Sequence, residues 1–165
     1  MAREFNVVGT NITVAGTTTM IFINPAAAAN FNLEFRRWWI GFTGSNTSLQ
    51  QRVQIVSQAT AFPTLTSATP VSLKLADPNA SIITGATTGA AGKAGINASA
   101  EGGGSKTVLR PDAFNQLNGY LLVLNPGETM IFPAGYAQGM GLYFPTAPGS
   151  SSLAGWEFGS TYAEV

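Results

Sequence analysis

The chain has 165 residues, contains neither cysteine nor histidine, and carries charge on only 10% of its residues, with acids and bases equal in number. A chain of this length makes one domain that buries roughly 70% of the surface its unfolded form exposes. Its composition removes disulfides, thiolate or imidazole metal centres and the commonest general base and nucleophile, and its weak, balanced charge argues against capture of nucleic acid or an anionic membrane.

Met1 to Gly9 reads as an N-terminal arm, with Arg3 and Glu4 beside Phe5, Val7 and Val8; such a terminus frays unless a neighbour holds it. A single β-sandwich domain is expected over 10–165. Ile12 to Ala15 and Thr17 to Asn24 read as strands around Gly16, rich in the β-branched residues that suit a pleated surface. Pro25 with Ala26 to Ala29 is a short connection. Phe31 to Thr43 is the longest apolar strand, yet neither of its alternating faces is clean. Phe31, Leu33, Phe35, Arg37 and Trp39 share one, and Asn32, Glu34, Arg36, Trp38, Ile40 and Phe42 share the other. Two readings stand: a strand with one face in the core and one on a partner, where tryptophan and arginine are typical anchors, or a central strand covered by its own chain with Arg36 and Arg37 paired to Glu34 or another carboxylate.

After a polar turn at Gly44 to Ser48, Gln51 to Ala59 is an amphipathic strand with Val53 and Ile55 inward. Val71 to Leu75 reads as a brief edge strand, and Asp77-Pro78-Asn79-Ala80 as a turn. Gly85 to Ser105 is almost wholly glycine, alanine, threonine and serine, with Lys93, Ile96 and Glu101 as exceptions. It is expected to be a flexible insertion, because it offers too little apolar surface to offset its ordering cost; it is either an excursion without a partner or an extension that orders on a neighbour. Thr107 to Asn115 returns to strand character with a break at Pro111.

Tyr120 to Leu124 and Thr129 to Phe132 flank Asn125-Pro126-Gly127-Glu128, and proline followed by glycine is the chemistry of a tight turn. The two runs are expected to fold back on each other as a hairpin, with Gly139 to Phe144 and Trp156 to Val165 completing a four-stranded meander. The last run places Trp156, Phe158 and Tyr162 on one face, as a half-buried strand. No apolar run approaches the ~20 residues of a spanning helix, and the N-terminus lacks the basic and apolar regions of a signal peptide. Synthesis in a host cytoplasm is expected.

Catalytic signals are weak. The eight carboxylates are scattered singly, without the pattern of a calcium loop; a glycosidase pair would require two of them to meet in space. Gly92-Lys93 fails as a phosphate loop, since Thr87 replaces the first glycine and Ala94 the metal-binding hydroxyl. Four Asn-x-Ser/Thr triplets, at Asn11, Asn46, Asn79 and Asn97, carry no weight where about two arise from composition alone. No enzyme activity, cofactor, metal or small-molecule substrate is expected. A near-zero net charge with many apolar residues points to association.

The run NGYLLVLNPGETMIFP (118–133), the GMGLYFP strand after it and the terminal aromatic strand, preceded by IGFTGS, QRVQIVSQAT and LADPNAS, resemble single-jelly-roll head decoration (cement) proteins of tailed bacteriophages. The glycine-alanine stretch is not part of that pattern. The resemblance implies a jelly-roll-like antiparallel β-sandwich, a homotrimer on the capsid exterior, and a partner in the major capsid protein, which it bridges to stabilise the shell. On that basis the capsid contacts are expected at Phe5, Val7, Lys93 and Ile96, and the subunit interface at Arg37, Trp38 and Trp39. A carbohydrate-binding module of a phage tail is the alternative; an enzyme on a β-scaffold and a capsid or spike subunit of a non-tailed virus are further rivals.

Overall fold

The computed structural model describes residues 2–25, 31–44, 48–74, 79–125, 127–149 and 154–165, and these form an all-β sandwich of two sheets. Sheet A places β1 (Arg3–Ile12), β13 (Trp156–Glu164), β3 (Leu33–Phe42) and then β10 (Tyr120–Val123) with β11 (Met130–Phe132) side by side, and the short β6 (Val71–Ser72) lies beyond β1. Sheet B runs β5 (Thr64–Ser67), β8 (Lys93–Ala100), β2 (Thr18–Ile23), β12 (Gly139–Phe144), β4 (Gln50–Gln58) and β9 (Lys106–Asn115), with β7 (Thr84–Gly85) parallel to β8. Antiparallel pairs join β1 to β13, β2 to β12, β3 to β10 and β4 to β9. The chain is therefore one long hairpin whose successive pairs alternate between the sheets. The connection at Ala26–Ala29, part of the turn at Gly44–Ser48 and Asp77-Pro78 lie outside the described residues.

One extra residue explains the mixed faces of Phe31 to Thr43. The register of β3 on β13 slips between Arg37 opposite Thr161 and Phe35 opposite Tyr162, a bulge that reverses the side-chain parity beyond it. Leu33, Phe35, Trp38 and Ile40 consequently all enter the core, and Glu34, Arg37 and Trp39 do not. Phe35 stacks on Trp38 at 5.3 Å between ring centres and meets Phe132 edge-on, while Trp156 packs against Phe42, Phe114 and Phe144. Each fully buried side chain of this size contributes about 1.5–3 kcal/mol, and the many in this core substitute for the missing disulfides.

Four expectations are corrected. The two runs flanking Asn125 do not form a hairpin: Val123 lies opposite Arg37 and Met130 opposite Phe35, so both run in one direction along β3 as an interrupted strand. Glu128 N donates to Asn125 O at 2.9 Å and Gly127 has φ 93°, with Pro126 outside the described residues, but this turn only ejects the chain from the sheet edge and returns it. The meander fails as well, because β12 belongs to sheet B and β13 sits between β1 and β3.

Met1 to Gly9 is no arm either. From Arg3 it is paired with β13, with Phe5 and Val7 in the core, and Arg3 meets the buried Glu164 at 2.5 Å. Glu164 also accepts hydrogen bonds from Ser81 Oγ (2.6 Å) and Ile82 N (2.9 Å), and Ser81 bonds the Tyr162 hydroxyl (2.6 Å). Finally, the expected insertion at 85–105 contains β8, an interior strand paired with β2 and β5, with Ala94 and Ile96 in the core. Backbone pairing supplies what its small side chains cannot, and small residues permit close approach: a Cβ on Gly95 would lie 2.6 Å from Leu65 Cβ.

The turn after β8 is just as tight. Gly102 has φ +69°, and a Cβ there would lie 1.9 Å from the Ala61 carbonyl oxygen, whereas nothing lies within 4 Å of one on Gly16. Gly102→Ala is expected to lower stability by more than about 1 kcal/mol in urea denaturation, and Gly16→Ala by less than about 0.5 kcal/mol.

Candidate interaction face

The two outer faces of the sandwich are finished differently. On sheet B, Phe22 is fully buried on the outward side because Gly139 and Gly141 leave room for its ring and the chain around Phe62 and Gly89 closes over it. That cover is bonded down: Gly89 N donates to Pro63 O at 3.0 Å, Asn24 Nδ2 to Gly89 O at 2.8 Å, and Gln58 Nε2 to Ala61 O at 2.9 Å. The long edge strand β9 carries Pro111, a bulge beside Val108 and the charges of Arg110 and Asp112, features that discourage a further strand from adding there.

Among the described residues, sheet A has no such cover over much of its outer face. Leu121 (66% exposed), Val123 and Ile131 project from β10 and β11, and Val8, Val71 (65%) and Leu73 project from β1, β6 and the residue after it. Between these groups lies a groove of about 430 Å³, with Leu73 on one side and Val123 and Thr129 on the other. Arg36 occupies its floor, bonded to Glu34 at 3.0 Å and also paired with Glu4. The Glu34 hydrogen bond holds the Arg36 guanidinium above its ordinary value, against its partial burial, and Glu4 adds to the effect. Both carboxylates thus accept from one guanidinium, and neither is presented as a free acid of the kind a glycosidase pair needs. Arg37 is exposed at the same groove and has no ion-pair partner among the described residues.

The sequence-derived contact residues divide sharply on this structure. Phe5 (1% exposed), Val7 and Ile96 (8%) are core residues and cannot grip a lattice; inward-facing parity on paired strands put them there. Lys93 is at the surface, its Nζ 2.8 Å from Thr84 Oγ1, far along the chain and in the other sheet from the groove. Trp38 is fully buried within its own chain, since the bulge turned it inward. Arg37 and Trp39 alone of the seven lie on the open face. Trp39 rests across β13, where a Cβ on Gly159 would fall 2.3 Å from its Nε1. Sequence reasoning missed Leu121, Val123 and Ile131, whose outward alternation in an edge strand was the available signal.

Beside Trp39 is a shallow cleft of about 480 Å³, also lined by Tyr120, Asn118 and Glu157. Burial, and then the neighbouring Asp112 charge, push the Tyr120 phenol up to about 12, while burial holds Tyr162 still higher. No three metal-ligating side chains gather among the described residues. No family model, curated protein or solved structure matches the chain.

The tyrosines set a pH limit. Folding favours their protonated form, so their contribution is complete below the ordinary value of 10.0 and is lost as pH rises from there through the folded values. The denaturation midpoint is expected to fall above pH 10, together with delayed phenolate absorbance from Tyr120 and Tyr162; phenylalanine at both positions removes that delayed absorbance.

Proposed function

We infer that this chain is a structural protein of a virus particle, a decoration or cement protein on the head of a tailed bacteriophage. The observation that carries the reading is the asymmetry of the sandwich: among the described residues, one outer face is sealed by the chain's own loops, and the other is open and apolar around an ion-paired groove. Exposed apolar patches of this kind mark surfaces that associate. A hairpin whose successive pairs alternate between two sheets supports a jelly-roll reading of the sandwich. In this reading three copies associate, bridge neighbouring major capsid proteins on the capsid exterior, and need no reactive centre. Because the protein binds only the assembled lattice, it stabilises that lattice by mass action.

A second reading has one observation in its favour. Trp39 and Tyr120 beside Asn118 and Glu157 offer aromatic surface with polar neighbours, the combination a carbohydrate-binding module requires.

Sedimentation decides between them. The pure chain is expected at three times 17.1 kDa and is expected to pellet with expanded heads of its own phage that lack it. A single-copy mass, with the chain left in the supernatant, overturns the reading. A Trp39 fluorescence change on adding host polysaccharide supports the carbohydrate reading instead.

A further inference from the structure

The interrupted strand on the edge of sheet A supplies a projection beside the groove. Between Val123 and Met130 the chain leaves β3, turns at Asn125–Glu128, and returns. Its tip is open at Gly127: among the described residues, its chain neighbours aside, nothing lies within 4 Å of a Cβ placed there. Glu128 is exposed there, its carboxylate accepting only from Asn125 Nδ2 at 3.0 Å among the described residues. The groove offers the opposite feature. Arg36 is committed to Glu4 and Glu34, which leaves the Arg37 guanidinium, among the described residues, with free donors between the apolar walls Leu73 and Val123.

We propose that the turn at Asn125–Glu128 of one copy docks in the sheet A groove of the next, with the Glu128 carboxylate accepting a paired hydrogen bond from Arg37; this rests on the trimer reading above. In a trimer each tip enters one neighbour's groove and is not answered by that neighbour's tip, so the contact is head to tail and three of them close a ring. The four groove charges, Glu4, Glu34, Arg36 and Arg37, sum to zero. Recognition therefore comes from the short-range guanidinium–carboxylate fork and the burial of Leu73 and Val123, rather than from a long-range field. Glu128 is the acid the turn can deliver, and Arg37 the groove cation with open donors among the described residues.

The test is a charge swap read by sedimentation equilibrium. R37E and E128R are each expected to keep the thermal midpoint of the monomer fold and to weaken association about 100-fold or more, while R37E/E128R restores the trimer. Single variants that stay trimeric overturn this contact and leave the trimer reading standing. Singles that dissociate without rescue in the double variant also overturn the pairing. A monomeric parent chain overturns the trimer reading and this contact together.

Discussion

The structure depends on β13 lying between β1 and β3. The last strand of the chain is the middle of sheet A, so neither neighbour has a full set of backbone partners until the C-terminus arrives. Its inward residues Trp156, Phe158 and Tyr162 carry much of the aromatic core, and Glu164 draws Arg3 and the Ser81 segment onto the same end of the sandwich. Buried ion pairs are indifferent sources of stability but are costly to break once formed. Here the Arg3–Glu164 pair ties β1 to β13, two strands far apart in sequence. Pairings of such long sequence separation make for slow folding.

From that constraint follows a division between the outer faces. With both inner faces consumed by the core, any contact with another molecule must use an outer face or an edge. The chain spends its glycines and its 59–63 and 86–92 segments on covering sheet B, where Phe22 fits into space cleared at Gly139 and Gly141. It protects the β9 edge with proline, a bulge and charges. Among the described residues sheet A receives no equivalent cover, and its outward positions carry leucine, valine and isoleucine around a groove in which Arg36 is held between two glutamates. An exposed side chain such as Leu121 is unremarkable alone; several of them on one face of one sheet form a patch.

The fold class was legible in the sequence because short apolar runs punctuated by proline and glycine leave few alternatives to a β-sandwich. Several inward faces were legible too: Val53 and Ile55, and the aromatic side of the last strand, sit where period-two alternation put them. What failed was long-range. The Asn-Pro-Gly turn forms, but local turn chemistry cannot reveal that β3 is long enough to pair with the chain on both sides of it. The bulge at Arg36–Arg37 is equally silent, since an inserted residue is visible only against its partner strand, and it decided which of Trp38 and Trp39 faces out. The glycine-rich stretch was misread because composition reports what side chains can bury and ignores what a strand between two others gains from its backbone. Arg37 and Trp39 were found, but for a face whose apolar part went unnoticed.

In the proposed reading the outer face of sheet A is a contact surface and that of sheet B is not. Hydroxyl-radical footprinting of the chain, free and in the assembled particle, tests it most directly. Leu121, Val123 and Ile131 should be protected from oxidation on assembly while Val108 and Leu109, exposed on β9, react as before. Protection of Val108 and Leu109 with Leu121, Val123 and Ile131 left as reactive as in the free chain would contradict it.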